Sequence, residues 1–287
     1  MNYTALIDRR KSVREFLDQA VPAANIVEIQ DYYEKSCQRL IPDLATELVV
    51  LDTDSRSALE GSCGYRDFLI GAPHYLILLS APHAHSGENA GYIMEDLLLK
   101  LTDMGLDSCW ITFTDAAKVK QSLLLSSDLE VAAVAAFGYG VKAPKKLRLN
   151  ILNMSNVDVS AKESYYSDKK QLDELVSVGT LGCTDGLDEL LDSYEDILRH
   201  SFEAAAKSPS YLNRQPYAFI ARDGDIILVS LADEYTDDID VKLNLGIVML
   251  HFSVTAKQWV GDVKWDLDRT VDTALPDGCS VAAVCRM

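Results

Sequence analysis

The sequence predicts an α+β fold made of two similar halves, and three observations lead to this prediction. Segments with helical and strand-like patterns follow one another in the order helix, strand, helix, strand, helix, strand, loosely twice along the 287 residues. Each half contains one long helix that is apolar nearly all round, at 91–106 and 243–260, which indicates burial on several sides. A hairpin signal at Asp223-Gly224 favours antiparallel pairing over a regular series of βαβ units.

Each element of the first half is predicted from its apolar pattern and its ends. The segment 74–80 is apolar almost throughout, as a strand buried on both faces should be. Gly105 lies where a glycine commonly follows a helix C-terminus, so it ends the long helix. The predicted elements are helices at 3–17 and 24–39, strands at 47–53 and 74–80, the helix at 91–106, a strand at 108–113, a short helix, and a strand at 131–138.

The second half follows a polar stretch that begins near residue 142 and is interpreted as a connecting arm, because its periodicity is weak. The predicted elements after it are an amphipathic helix at 187–208, hairpin strands at 217–222 and 225–231, the helix at 243–260 and a closing strand at 280–286. The domain prediction is a first half at 1–150, an arm at 151–182 and a second half at 183–287.

The composition limits the partners and the location. The formal net charge of −17 argues against nucleic acid or an anionic membrane surface as a partner, because the summed field repels polyanions. No apolar run reaches the roughly 20 residues of a membrane span. The N-terminus has no apolar stretch of the kind a secretory signal needs, and the six scattered cysteines are typical of reduced thiols. We therefore expect a cytoplasmic protein in which any anion site is local.

Signatures of several common enzyme classes are missing. The sequence has no G-x-G-x-x-G after a strand, no G-x-x-x-x-G-K-[ST] loop and no G-x-S-x-G elbow, which disfavours Rossmann dehydrogenases, P-loop NTPases and α/β-hydrolases. His83 and His85 lie on a predicted loop without a further ligand nearby, so no metal site is predicted. The acidic stretch 233–240 lacks the spacing of a calcium loop and is interpreted as a solvated face.

Two clusters of cations stand out in this acidic chain. Arginine forks and a hydroxyl suit a phosphate, which accepts several charge-assisted hydrogen bonds at once. The alternative is two surface patches paired with nearby carboxylates, and charge spacing alone leaves both interpretations open. The first cluster is Arg9, Arg10, Lys11 and Arg14 with the hydroxyl of Ser12 among them, and the second is Lys142, Lys145, Lys146 and Arg148.

The segment SPSYLNRQPYAF at 208–219 is the third unusual feature. Two prolines bracket serine, asparagine and glutamine residues, so backbone and amide groups are held in fixed directions. Taken alone, the segment is also compatible with a simple turn that ends a helix.

Together these features resemble the flavin-dependent nitroreductase family. RRKSVREF is similar to its N-terminal R-R-x-S-x-R-x-F motif, and SPSYLNRQPYAF is similar to its P-S-x-x-N-x-Q-P motif followed by an aromatic residue. The segments 91–112 and 131–148 resemble its central dimer helix with the following strand, and its late strand with a basic tail. The resemblance implies a nitroreductase-like α/β/α sandwich that binds flavin mononucleotide (FMN).

The distribution of the two motifs departs from the usual pattern. The first half has SCQRLIPDLATELVVL where a P-S-x-x-N motif would be expected, and the second half has no R-R-x-S-x-R motif. Typical members are homodimers that bind FMN at the subunit interface, with one motif from each subunit. The resemblance therefore implies an intramolecular pseudo-dimer in which two half-repeats build one FMN site per chain.

Carried over residue by residue, the resemblance implies FMN contacts from both halves. Arg10 and Ser12 hold the phosphate and ribityl end, and the backbone of Thr112 lies near N5. Arg14 lies at the N1/C2-carbonyl edge, where a cation raises the reduction potential of the ring. Lys146 and Arg148 close on the phosphate, and the flavin is lined from the second half by Pro209, Ser210, Tyr211 and Asn213. Arg9 and Gln215 complete the implied set, and Tyr65 and Arg66 are candidates for amide contacts.

The function implied by the resemblance is an FMN-dependent oxidoreductase. NADH or NADPH would reduce the flavin, and a small nitroaromatic- or quinone-like acceptor would oxidise it in a ping-pong mechanism, with no catalytic side chain required. We expect a monomer or a weak homo-oligomer. The alternatives are a non-catalytic flavin-binding or sensing protein, or another flavin reaction on the same fold, such as dehalogenation or flavin fragmentation.

Overall fold

The computed structural model describes residues 1–66, 68–141, 146–153, 156–162, 168–192 and 196–286, with the backbone alone at 146–153 and 156–162. The described helices are α1 Tyr3–Arg9, α2 Ala23–Lys35, α3 Arg56–Leu59, α4 Ser86–Asp103, α5 Ala116–Ser122, α6 Leu172–Leu175, α7 Leu187–Leu191, α8 Ile197–Ala206 and α9 Asp238–Ala256. The described strands are β1 Thr46–Leu51, β2 His74–Ser80, β3 Asp107–Ile111, β4 Glu130–Gly138, β5 Lys146–Asn153, β6 Asn156–Lys162, β7 Val176–Val178, β8 Tyr217–Arg222, β9 Asp225–Ser230, β10 Trp265–Asp266 and β11 Ser280–Arg286.

The two main sheets have the same topology. The first has the strand order β1-β2-β4-β3, and its neighbours are antiparallel. The second has the order β10-β11-β9-β8-β7, so that, read from its other end, β8-β9-β11-β10 repeats the first sheet strand for strand. The short strand β7 adds to this sheet in parallel with β8, and β5 and β6 form a separate hairpin. This confirms the α+β class and the two half-repeats.

The long helices α4 and α9 cross at two glycines. A Cβ atom on Gly91 would meet the backbone oxygen of Leu243, and a Cβ atom on Gly246 would meet the backbone oxygen of Glu88. Each glycine thus faces the residue that lies three positions before the other glycine. These reciprocal contacts are those of a two-fold axis, here generated within one chain.

Alternate residues of each sheet pack into different layers. Leu76 in β2 belongs to the core shared with α2 and α4, whereas Ile77 belongs to the core on the opposite face with α5. Phe219 in β8 packs against α8 and α9, and Ile220 packs on the other face. Period-two alternation therefore places apolar side chains on both faces of each sheet. The layers confirm the predicted sandwich, and β2 is buried along its whole length, as its composition predicted.

Helix α9 is long and apolar enough, by length and composition, to cross a membrane. However, 83% of its apolar window is buried inside the protein. The helix is therefore accounted for as a core element, packed between α4, α8 and the second sheet.

The helix predicted at 3–17 is wrong beyond Arg9. The backbone becomes extended at Arg10, with φ −62° and ψ 129°, and the N–H of Val13 donates to the carbonyl of Ser108 at 2.9 Å. Ser12 and Phe16 form bridges to Ser108 and Gly140. Pairing with these distant residues replaces the hydrogen bonds that a continued helix would make.

The helix predicted at 187–208 is also divided. Helix α7 ends at Leu191 and α8 begins after Asp196, whose φ of 63° is left-handed and interrupts a continuous helix. The predicted arm at 151–182 contains the end of β5, all of β6, α6 and β7, so it is not uniformly irregular. The two predicted boundaries, after residues 150 and 182, stay a prediction.

Candidate functional site

The segment after α1 carries its side chains in the alternating pattern of an extended chain. Ser12 and Arg14 line a cavity. Arg10, which lies two residues before Ser12, is buried next to it. A continued helix would have rotated successive side chains by about 100° each and could not have presented this series in one direction. The extended conformation thus directs Ser12 and Arg14 into the same cavity.

A cavity of about 350 Å³ lies between the two halves, within the usual size range of small-molecule sites. Its walls are mainly apolar, with a few polar groups that converge from both repeats. The first half contributes Ser12, Arg14, Gly64, Tyr65, Phe68, Ile70, Cys109, Trp110, Ile111 and Thr112. The second half contributes Pro209, Ser210, Tyr211, Leu212, Asp240, Leu243, Asn244 and Ile247.

The second-half wall is a turn with an unusual backbone. Leu212, Asn213 and Gln215 have φ values of 48°, 58° and 47°, in a left-handed region that non-glycine residues seldom adopt. The turn is held by two side chains: Asn244 Oδ1 accepts from the N–H of Tyr211 at 3.2 Å, and Ser210 Oγ accepts from the N–H of Gln215 at 2.9 Å. Backbone strain of this kind is often found at ligand sites, and Ser210, Tyr211 and Leu212 of this turn line the cavity.

A buried ionic network lies beside the cavity. Arg10 Nε is 3.0 Å from Glu95 Oε1, and the exposed fractions of these two side chains are 6% and 0%. Glu95 also accepts from Trp110 Nε1 at 2.8 Å and pairs with His251 Nε2 at 3.0 Å. Burial alone would raise the pKa of Glu95, but the charge of Arg10 and these hydrogen bonds hold it below the usual range. Glu95 is therefore anionic at neutral pH.

His251 and Arg10 both contact Glu95. The two ring nitrogens of His251 lie within hydrogen-bonding distance of Glu95 Oε1 and of the carbonyl of Ala204. Arg10 Nη1 is buried without a hydrogen-bond partner among the described residues. A buried, unpaired guanidinium donor is costly unless a ligand completes it.

Lys169 brings a further cation to the same place. Its Nζ donates to Asn213 Oδ1 at 2.6 Å and to the carbonyl of Ser208 at 2.8 Å. Burial, with the nearby charge of Arg10, lowers the pKa of Lys169 to about 8, although Glu95 opposes the change. Lys169 thus connects the second-half motif to the first-half arginine. Sequence reasoning missed it, because a lysine pair in a polar arm matches no binding motif.

Asp240 is the acidic group of the cavity. Its Oδ2 accepts from Thr112 Oγ1 at 2.9 Å, and the residue is only 8% exposed. Burial, reinforced by the charge of Asp237, raises the pKa of Asp240 to about 6 although the Thr112 bond opposes it. The interpretation of 233–240 as a solvated face is therefore wrong for Asp240.

The structure brings most of the predicted residues to the cavity or to its ionic network. Arg9 and Gln215 make other contacts: Arg9 Nη2 donates to the carbonyl of Thr102 at 3.0 Å, and Gln215 Nε2 donates to the carbonyl of Ala206 at 2.8 Å. The predicted residues at the cavity are Ser12, Arg14, Thr112, Pro209, Ser210 and Tyr211, joined by the candidate Tyr65. Arg10 and Asn213 belong to the network, Arg66 lies over the ring of Tyr65, and the side chains of Lys142, Lys145, Lys146 and Arg148 lie outside the described residues.

The two-fold axis of the helix crossing relates the cavity to a second position in the chain, and the residues there differ in chemistry. Asn89 and Asn244 each lie two residues before a crossing glycine, and each accepts one backbone N–H, from Ile41 and Tyr211 respectively. The segment around Ile41 in the first half is therefore the structural equivalent of the P-S-x-x-N segment. This is the segment in which the sequence analysis noted that the motif is missing. His85 and Asp240 each lie six residues before a crossing glycine, and His85 Nε2 is 3.3 Å from Asp268 Oδ1.

His85 also contacts Glu88 and the neighbouring histidine, His83. Its Nδ1 is 3.5 Å from Glu88 Oε1, and its backbone N–H donates to His83 Nδ1. Within the part of the chain that the structure describes, no group of three or more histidine, cysteine, aspartate or glutamate side chains is arranged to hold a metal ion.

Solved structures show which known proteins share this fold. A protein of Thermotoga maritima MSB8 described as a putative nitroreductase is 18% identical and matches with a TM-score of 0.58, over 100% of this chain and 94% of its own. A nitroreductase family protein from Clostridium novyi NT is 18% identical, with a TM-score of 0.43 over 49% of this chain and 87% of its own. An FMN-dependent nitroreductase from Clostridium difficile R20291 is 19% identical, with a TM-score of 0.41 over 52% of this chain and 91% of its own.

No curated protein matches the sequence significantly. The family model described as "Putative TM nitroreductase" matches residues 2–256, which include the basic motif, both crossing helices and the P-S-x-x-N segment. On the strength of that match, the chain belongs to the nitroreductase family.

Proposed function

We propose that the chain is an FMN-dependent oxidoreductase that takes reducing equivalents from NADH or NADPH and passes them to a small nitroaromatic- or quinone-like acceptor. Membership of the nitroreductase family supports the oxidoreductase class. The observation that carries the cofactor assignment is the composite site: an apolar cavity between the halves, with the unpaired donor of buried Arg10 beside it.

The residues present fit the chemical groups of FMN. Arg10 and Lys169, from different parts of the chain, would hold the phosphate, and the unpaired Nη1 of Arg10 is a donor for it. The apolar walls suit the flat ring, and the Nδ2 of Asn244 is a buried cavity donor without a partner among the described residues. Bound FMN would supply hydride-transfer chemistry, while the protein supplies binding, orientation and exclusion of water.

The visible spectrum of the purified protein tests this proposal. With added FMN, the protein should retain a flavin spectrum after gel filtration, and anaerobic NADH or NADPH should bleach it. Adding a quinone such as menadione should then restore the oxidised spectrum. Protein that retains no flavin contradicts the whole proposal. Retained flavin that neither nucleotide bleaches would instead support a non-catalytic flavin-binding protein.

We expect one FMN per chain. The symmetry-related position holds the carboxylates of Glu88 and Asp268 around His85. The segment TDGLDELL at 184–191, which precedes α8, carries three acidic residues and no lysine or arginine. Its negative charge would repel a phosphate. Flavin absorbance measured against protein mass should give a ratio near one, and a ratio of two would refute the single composite site.

Asn213→Ala should weaken FMN binding by about 10-fold, because Lys169 loses the side-chain acceptor that holds its ammonium group in place. Isothermal titration with FMN measures the effect. Leu124→Ala provides a reference, since Leu124 is 88% exposed and does not line the cavity. Equal FMN affinities of the wild type and Asn213→Ala would show that the P-S-x-x-N segment does not contribute to binding of the FMN phosphate.

A further inference from the structure

The carboxyl group of Asp240 faces the cavity, and the proposed function has not used it. It lies in the first turn of α9, where its backbone N–H donates to the N-cap side chain of Asp237 at 2.9 Å. Thr112 occupies its Oδ2, and among the described residues no donor reaches its Oδ1. A buried carboxyl group that lines a cavity and keeps one oxygen free of protein donors is placed to exchange a proton with a bound molecule.

The charged and titratable surroundings of Asp240 come from several elements. Burial raises the pKa of Tyr211, and the charges of Asp240 and Tyr65 raise it further. The groups that face this end of the cavity are Asp237 at the start of α9, Tyr211 on the second-half turn, Tyr65 and Arg66 on the loop after α3, and Arg14 on the N-terminal segment. Burial and the charge of Asp237 favour the neutral form of Asp240, whereas the hydrogen bond from Thr112 favours the carboxylate.

The reduction of the proposed acceptor needs an acid. A quinone that is reduced to its dihydro form takes up one hydride and one proton. Arginine keeps its proton, and burial raises the pKa of the Tyr211 phenol and of the Cys109 thiol, two groups that already titrate above neutral pH in water. Among the described lining residues, Asp240 is thus the group whose protonation changes just below neutral pH.

We propose that Asp240 is the proton donor of the acceptor half-reaction, an inference that rests on the proposed function. As the acceptor takes up a hydride from the bound reductant, the O–H bond of the Asp240 carboxyl group breaks and its proton bonds to the acceptor oxygen. Water entering through the cavity mouth then returns a proton to the carboxylate. Thr112 is a positioning residue, because its hydroxyl fixes the orientation of the carboxyl group.

Asp240→Asn is the direct test, because asparagine keeps the size of the side chain and an oxygen for Thr112 but cannot ionise. Stopped-flow reoxidation by menadione should be followed from about pH 5 to about pH 8. The wild-type rate should fall as the pH rises through about 6. The variant should be slower by about 100-fold at low pH, within the usual range for loss of a general acid, and its rate should not depend on pH.

Asp237→Asn is the matched control, since asparagine is an equally good N-cap and the residue lies one turn from Asp240. It should keep the inflection but move it to lower pH, because the charge of Asp237 raises the pKa of Asp240. The proposal is overturned if the pH profile of reoxidation in Asp240→Asn matches that of the wild type. It is also overturned if the inflection in Asp237→Asn lies at the same pH as in the wild type.

A measurement without turnover separates this proposal from the proposed function. The pKa of Asp240 is raised on folding, so its stabilising contribution is complete below the unfolded pKa near 3.9 and is lost as the pH rises through about 6. In thermal unfolding of the flavin-free protein, the wild type should therefore lose stability relative to Asp240→Asn over this range.

If wild-type protein fails to bind FMN, both proposals fall. If it binds and is reduced normally while the variant reoxidises normally, only the role of Asp240 is wrong.

Discussion

Arg10→Ala is expected to weaken FMN binding by about 100-fold and to lower the free energy of unfolding by about 3 kcal/mol. The first effect follows because Arg10 provides the buried donor that is left for the phosphate. The second follows because Glu95, with no exposed surface, would keep a charge without its closest cation. The stability loss lies at the lower end of the range for a broken buried pair, since His251 and Trp110 still contact Glu95.

Arg9→Ala is a matched control, because it removes the same charge one residue earlier. Arg9 donates to a backbone carbonyl at the end of α4 and does not line the cavity. Its replacement should leave FMN affinity unchanged and stability within about 1 kcal/mol of the wild type. Chemical denaturation and fluorescence titration measure the two quantities.

The stability loss in Arg10→Ala should shrink as the pH is lowered. Without the Arg10 charge, the pKa of Glu95 rises, so protonation removes the uncompensated charge at a higher pH than in the wild type. A loss that does not depend on pH would show that packing, and not charge, accounts for it. FMN affinity that responds equally to Arg9→Ala and Arg10→Ala would mean that the basic motif acts only through its general charge.

Gly246→Ala is expected to lower the free energy of unfolding by about 3 kcal/mol, in the upper part of the range for overpacked cores. The added Cβ would overlap the backbone oxygen of Glu88 and lie 2.8 Å from the backbone nitrogen of Tyr92. Backbone atoms inside a helix cannot rotate away, so α4 and α9 must move apart. FMN binding should fall as well, since Asp240 and Asn244 on α9 line the cavity.

Gly261→Ala shows what an ordinary glycine replacement does in this chain. No atom lies within 4 Å of a Cβ at this exposed position, and its φ is not left-handed. Its melting temperature should therefore stay close to that of the wild type. Gly91→Ala should behave like Gly246→Ala, because the crossing is reciprocal. A stable Gly246→Ala variant with normal FMN affinity would show that the helices tolerate a wider separation.

The sequence was most informative where local pattern and burial agree. The buried strands β2, β8 and β9 were predicted from an apolar run or a hairpin signal and fall within one residue of their observed bounds. The hairpin at Asp223-Gly224 has left-handed φ values of 54° and 81°, as this residue pair indicated. In these segments the partner strand is close in sequence or the strand is buried on both faces, so short-range signals suffice.

The site was less predictable because it depends on contacts between distant residues. The extended segment after Arg10 pairs with Ser108, and no local signal shows that this pairing displaces a helix. Asp240 and Lys169 look like solvated charges in the sequence, since a charged letter does not reveal its burial. The motif resemblance identified Ser12, Arg14 and Pro209, but the partners that tune them, such as Glu95 and Trp110, became visible only in three dimensions.

The repetition of one sheet topology within a single chain has a consequence for the response to dilution. When two subunits share a site, the site is lost as they dissociate, so its occupancy depends on protein concentration. Here the docking of one half on the other is an intramolecular event. Melting temperature and FMN affinity should therefore be the same in dilute and in concentrated solution, because dilution cannot dissociate two halves that belong to one chain.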